Sequence, residues 1–411
     1  MMTAKNIGIL FPSRKSGGVF QFTLSIAESL INYTNPKEFK YWIIHYAAHN
    51  PENDLNIRTG AANFISIPQK SIAWPRKILH FLNLIVFNSS RLADNTSEIF
   101  KNITLDLLIY PTPFTYDFVR GIPSIAYLPN MMHRYYPHFP EFPFMTRITR
   151  DIVYKYYARK AAIYASDSEQ GIEDIHKFLH VSLNKGRVIP FIPAGYIYKH
   201  RGMTIGEIKN TLKKYNLPEK FIFYPAQFWH HKNHLRLIQA LGIIKEKYNT
   251  DVNLVLAGNA EGKYKKTAQL AFSEAKKLGI ASQITHLGYV SDAEMVALYK
   301  RSLALVNPSL LGPTGIPFVE AIVLGVPIIG PDIWEVPNTV GKAGVLFNPF
   351  DPKDMAEKIY LVWQNANLRE KLAEEARLLA QSITPQSHAK QWQNAVEETL
   401  KLAPASGLRE A

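Results

Sequence analysis

The 411-residue sequence contains no cysteine, which excludes a disulfide framework, a thiolate metal site and a cysteine nucleophile. A reducing compartment suits such a chain, and the cytoplasm is the expected location. Long apolar runs are missing too. The longest, Ile78 to Phe87, is interrupted by His80 and Asn83, well short of the ~20 residues that span a bilayer. The apolar patch near the start runs directly into Arg14 and Lys15, which is not the pattern of a signal peptide. Acidic residues are in deficit: 34 Asp and Glu face 47 Lys and Arg, a net charge of +13. Residues 1–200 carry 22 Lys and Arg against 14 Asp and Glu, so +8 of that charge lies there. This balance suits an anionic partner: nucleotide phosphates, an acidic lipid surface or nucleic acid. No nucleic-acid motif accompanies it, so no nucleic-acid partner is expected.

What is present is a 47% apolar, 20% charged chain too long for a single core, so two domains are expected. Short apolar runs of strand type alternate with amphipathic helical stretches through both halves, which predicts two doubly wound α/β domains. Strands are expected at Asn6–Phe11, Tyr41–Tyr46, Ala62–Ile67, Asp106–Tyr110, Ser124–Leu128 and Ala162–Ser166. They resume at Phe221–Tyr224, Asn253–Ala257, Ile284–Leu287, Leu303–Val306, Pro327–Gly330 and Gly344–Phe347. The first domain is placed at 1–195 and the second at 219–384. Little periodicity around Ala194 to Thr204 places a linker over 196–218.

The densest chemistry lies in Asn307–Ala321, a Gly-, Pro- and Thr-rich loop between a strand and a helix entered through Pro317. Free N–H groups at such a helix start favour an anion. Glu320 is expected in the first turn, with Pro317 where a capping box would need Ser or Thr. Its carboxylate is then either a hydroxyl acceptor in the loop's concavity or ordinary dipole compensation. Lys232, just before a helix start, is placed to pair with a phosphate. His230 and His234 are four apart, but no Glu follows the first His, which argues against zinc. The Ser13–Gly18 loop after the first strand brings Gly17 and Gly18 either to a phosphate or sugar, or simply into a tight turn. It is not a Gly-x-Gly-x-x-Gly fingerprint. His133, behind the Ser124–Leu128 strand, is either a donor to substrate or a satisfied structural residue. Two basic aromatic segments, Ser71–Arg91 and Met145–Ala162, are read as helices that either lie on an anionic membrane or pack against their own sheet.

Three segments, FYPAQFWHHKNH, HLGYVSDAEM and NPSLLGPTGIPFVEAIVLGVPIIG, make the second half closely resemble the nucleotide-sugar glycosyltransferases of family 4. These are retaining enzymes with the GT-B fold, and mannosyltransferases are among the similar members. The GGVF and PNMMHRYYP segments look like that family's N-domain motifs. The resemblance implies two Rossmann-like domains facing a cleft, with 385–411 returning as a helix to the first. It implies that Glu320 holds the ribose hydroxyls and Lys232 the pyrophosphate. Gly315, Ile316 and Pro317 match the turn along the donor sugar and phosphate. Asn233, Tyr289, Val290 and Thr314 fall in the three quoted segments and Gly258 ends the Asn253–Ala257 strand between them; the resemblance implies donor binding for all five. Gln227 stands where many members have a phosphate-binding arginine. Gly312 stands where the first motif glutamate contacts the sugar, and Pro129-Asn130 where many have His-Asp, leaving His133 as the nearest imidazole and a catalytic candidate. The activity implied is retaining transfer of a hexose from a GDP- or UDP-linked donor to a glycan or lipid-linked glycan, with no metal or other cofactor. The departures at Gly312 and Gln227 leave a nucleotide-sugar-binding protein with epimerase or no transferase activity as the alternative.

Overall fold

The computed structural model describes residues 4–12, 18–67, 103–113, 118–119, 121–312 and 315–402. The Ser71–Arg91 segment, Gly17 and Thr314 lie outside them. Two compact units emerge. One comprises Met1–Pro137, Phe142–Ala194 and Pro385–Ala411; the other comprises His138–Glu141 and Gly195–Thr384.

Among the described residues the first unit holds seven parallel strands: β1 (Lys5–Leu10), β2 (Phe39–Tyr46), β3 (Ala62–Ile67), β4 (Leu107–Tyr110), β5 (Ser124–Tyr127), β6 (Ile163–Ser166) and β7 (Gly186–Val188). Their order is β3-β2-β1-β4-β5-β6-β7. The second holds β8 (Ile222–Pro225), β9 (Leu254–Ala257), β10 (Ile284–His286), β11 (Leu305–Val306), β12 (Ile328–Pro331) and β13 (Gly344–Phe347), in the order β10-β9-β8-β11-β12-β13. The central strands are buried along their whole length, β4, β5, β6 and β9 without a break. Helices therefore cover both faces, and the strands read as unbroken apolar runs rather than alternating ones. Each sheet reverses its winding once, between β1 and β4 and between β8 and β11. Ligands bind outside the carboxyl ends of strands at such switch points.

The stretch expected as a linker is instead helical. Gly195–His200 and Ile205–Leu212 are helices of the second unit. The second of them is stopped from fraying by a capping box between Thr204 and Glu207. Tyr198 donates to the Ile383 carbonyl at 3.1 Å, so the first is tied to the far end of its own unit.

The last helix, Pro385–Leu402, belongs to the first unit and lies against the helix Gly18–Tyr33. Trp392 is fully buried there. Its indole donates to His388 Nε2 at 3.0 Å, so Nδ1 carries the proton and donates to Ser29 Oγ at 2.9 Å. Burial holds the His388 pKa down to about 3. Between pH 6.5 and 3 the unfolded chain therefore takes up a proton that the folded chain refuses, and acidification through that window destabilises. His388→Ala should leave the indole and the serine unpaired and cost about 3 kcal/mol. Thermal unfolding of the variant checks this; a melting point equal to wild type would contradict it.

Candidate functional site

The loops that follow β8 and β11 flank the switch point of the second sheet, and hydrogen bonds fix them to one another. Leu310 N donates to the His231 carbonyl at 2.8 Å. Asn233 adopts a left-handed backbone (φ 58°) and donates its side-chain amide to the carbonyls of Pro308 and Pro349, at 3.2 and 2.9 Å. Its oxygen accepts from Arg236 at 3.0 Å. Asn233 thus serves to join three loops, and its side chain is not free for a ligand. Tyr224 donates to the Lys232 carbonyl at 2.8 Å, pinning the lysine's backbone.

Lys232 itself is partly buried, and among the described residues no carboxylate lies within ion-pair distance of it. Loss of hydration pushes its pKa down to about 8. A cation withdrawn from water without a counter-charge is unfavourable unless an anion arrives from outside. The neighbouring histidine is already committed. His231 donates through its backbone N–H and Nδ1 to Glu141 Oε1, at 3.0 and 2.9 Å. Burial alone would raise the Glu141 carboxyl, but these bonds hold it down to about 2. Glu141 is therefore ionised and spent on His231. His234 is stacked on Phe228 with ring centres 4.1 Å apart, and burial drives its pKa to about 3, so it is a core imidazole. No three His, Cys, Asp or Glu among the described residues come together as a metal site.

Gln227 Oε1 accepts from Trp229 Nε1 at 3.1 Å and from the Tyr264 hydroxyl at 2.9 Å. Two donors on the oxygen fix which end is the amide nitrogen, and leave its N–H groups to point at an acceptor. Gly258 carries φ 145°, and a Cβ there would sit 2.3 Å from the Ala226 carbonyl oxygen, so only glycine lets β9 exit this close to the β8 loop. Beyond β10, Tyr289 is 89% exposed whereas the Val290 side chain is in the core. Val290 can offer a ligand only its backbone.

The helix after β11 runs Ile316–Leu324, so it opens before Pro317 rather than after it. Glu320 therefore lies in its second turn, and no acidic residue sits in the first. Dipole compensation is excluded as its purpose. Gly315 caps the helix without a side-chain bond, and Pro317 occupies the opening turn. Glu320 is nearly enclosed, accepting from Tyr299 at 2.7 Å and Tyr196 at 3.1 Å. Burial raises its pKa to about 7, the two hydroxyls lower it, and Asp292 raises it further. The carboxylate oxygens retain lone pairs for further donors. Neither tyrosine was foreseeable, since they lie 124 and 21 residues away along the chain. Gly312 has φ 105°, with nothing within 4 Å of a Cβ. A glutamate at this position would be strained on this backbone, so the loop is built for glycine.

In the first unit the structure corrects the expectation for His133. Its side chain has no exposed surface, and Nε2 bonds Asp151 Oδ1 at 2.7 Å. It braces the short helix Met132–Tyr135 against Phe144–Lys160 and has no face on which to touch a substrate. Gly18 is exposed at the first turn of its helix.

Residues 207–379 match the family model described as glycosyl transferases group 1. The serotype-specific mannosyltransferase WbdA of Escherichia coli is 29% identical over 149 residues, 36% of this chain and 18% of WbdA. The O-antigen chain mannosyltransferase B of Escherichia coli is 29% identical over 193 residues, 46% of this chain and 47% of the relative. The chain thus covers less than half the length of these curated relatives. Anabaena HepE in complex with UDP-glucose has the same fold over 96% of this chain and 99% of its own, with a TM-score of 0.74 at 15% identity. Two Rossmann-like units, each a helix-covered parallel sheet, make this a GT-B protein.

Proposed function

We propose that the protein is a retaining hexosyltransferase that moves a sugar from a GDP- or UDP-linked donor to a hydroxyl of a glycan or lipid-linked glycan. The observation that carries this is Lys232, a cation partly desolvated beside the switch point that meets no carboxylate among the described residues. A departing nucleoside diphosphate supplies the missing negative charge. Lys232, the Gln227 amide and the uncapped start of helix 316–324 then meet the charge that develops as the glycosidic bond breaks. Glu320 accepts from the ribose hydroxyls. The positive potential is the protein's own, so the reaction proceeds without a metal or other cofactor and persists in chelator. The mannosyltransferase relatives and the nucleotide-sugar complex of HepE support this reading. Gly312, where no side chain reaches the sugar, favours the second reading: a nucleotide-sugar-binding protein with epimerase activity or none.

A thermal-shift screen of GDP-, UDP-, ADP- and dTDP-sugars tests the donor class. The right donor at 100 times its dissociation constant should add about 2.7 kcal/mol. No shift with any of the four would sink the proposal. Product analysis separates the two readings: a glycosylated acceptor with the donor's anomeric configuration supports transfer, whereas altered or unchanged nucleotide sugar supports the second.

A further inference from the structure

Fourteen large apolar side chains are exposed among the described residues, and most are isolated. Three are not. Phe144, Met145 and Ile148 are 65%, 67% and 37% exposed, and no other run of five residues holds more than one such side chain. They open the helix Phe144–Lys160 of the first unit. Buried residues Val153, Tyr154, Tyr156, Tyr157 and Ala158 hold its later turns in the core, so the helix is anchored and its first turns are not.

The side that carries Phe144 and Ile148 continues along the helix. Positions 144, 148, 152, 155 and 159 follow helical spacing and share one side. That side reads Phe, Ile, Ile, Lys, Arg; Ile152 in its middle packs partly against the core, Lys155 is half-buried, and Arg159 is exposed with Lys160 beside it. It is apolar in its first half and basic in its second. The one acidic residue of this helix, Asp151, is already bound by Arg134 at 2.6 Å and by His133 at 2.7 Å. Arg150 is turned inward, over the Tyr154 ring at 4.9 Å and onto the Asn130 carbonyl at 3.3 Å. The basic charge displayed is therefore that of Lys155, Arg159 and Lys160.

We infer that this helix docks the protein on an anionic lipid bilayer, its first two turns entering the acyl boundary and its basic end resting among the phosphates. This rests on the membrane-borne acceptor of the proposed function. The order of side chains is the argument. A helix lying flat on a membrane carries its apolar and basic residues on opposite faces along its length. Here the two follow one another along a single stripe roughly 22 Å long, from position 144 to 159. Only an oblique helix, with its amino end lowest, puts both halves in their preferred layer at once. Lys and Arg stems can reach back to the phosphates from that pose. A protein groove of complementary shape would meet the apolar end, but the cations next to it, which have no carboxylate partner among the described residues, call for a dense anionic surface. No helix among the described residues is long and apolar enough to cross a membrane, so the contact is peripheral.

Co-sedimentation of the full chain with vesicles tests the inference, using phosphatidylcholine alone or with 30% phosphatidylglycerol, at low and moderate salt. Wild type should bind the anionic vesicles at least tenfold better than the neutral ones, and less well at the higher salt. The triple substitution Phe144→Glu, Met145→Glu, Ile148→Glu should abolish binding to both. Lys155→Glu with Arg159→Glu should remove the preference for anionic lipid. Both variants should keep the wild-type melting point and thermal shift with the nucleotide sugar, since the substituted residues are not part of the loops that carry Gln227, Lys232 and Glu320. Binding that survives the triple substitution, or no binding by wild type, overturns the inference. So does self-association of wild type in sedimentation velocity that the triple substitution dissolves, because a second copy would then be the occupant. Loss of the nucleotide-sugar shift in wild type, with vesicle binding intact, would instead overturn the proposed function alone.

Discussion

Lys232→Met should raise the melting temperature of the ligand-free protein while removing most of its activity. The lysine is held partly out of water with no anion beside it among the described residues, and its pKa is pushed down to about 8. Between pH 8 and the ordinary lysine range the unfolded chain binds a proton that the folded chain has released. Stability of the free wild type therefore rises with pH across that window, and the methionine variant should lack the rise. Binding has the opposite sign. The donor's phosphates require the ammonium, so donor affinity should fall as pH climbs through 8. In the variant, kcat/KM should drop about 100-fold, or about 3 kcal/mol, the scale of one charge-assisted contact. Gain of stability with loss of function marks a residue strained for its role. Near-normal turnover at sub-saturating donor would refute the assignment, as would a variant that is simply less stable.

Glu320→Gln is the second large effect. The carboxyl titrates near 7 because burial disfavours its charge. The folded chain thus holds a proton between about pH 4.5 and 7 that the unfolded chain has lost. Wild-type stability falls with rising pH over that range and is level above it. Glutamine, an uncharged mimic of the protonated acid, should be more stable than wild type at pH 8 and should lack the decline. It cannot accept ribose hydroxyl bonds as strongly. Affinity for the bare nucleoside diphosphate should fall by ~1.5–3 kcal/mol at pH 8, and wild-type affinity should rise with pH through 7. Calorimetry with the nucleoside diphosphate alone decides the matter, because the contact is to ribose and needs no sugar. Equal affinities in the two proteins would remove Glu320 from the site.

The sheets were legible because parallel strands buried on both faces must be continuous apolar runs, and Gly or Pro ends most of them. Ala62–Ile67 and Gly344–Phe347 match the sequence reading to the residue. Lys232 was legible from its place between a strand and a helix, although its lack of an internal partner was not. What the sequence hid was long-range pairing. Nothing local marks Tyr196 and Tyr299 as the groups that enclose Glu320, or Asp151 as the partner that takes His133 out of play. One signal was overlooked. Thr204 and Glu207 form a capping pattern in plain view, and it identifies a helix inside the presumed linker.

The fate of residues 385–402 has a consequence for how the protein is made. Trp392, Ala395 and Val396 complete a core whose other members include residues of β1, β2, β4, β5 and β6 and of the helix Gly18–Tyr33. The 190 residues of Gly195–Thr384 are synthesised in between. At ribosomal speeds of roughly 5–20 residues per second, the first unit waits about 10–40 s with its apolar groove uncovered. During that interval the second unit, whose helices and strands are nearly contiguous in the chain, folds without it. Of the two units, the one whose synthesis starts earlier is therefore finished later. Its exposed apolar surface is a natural point for chaperones to hold the nascent chain.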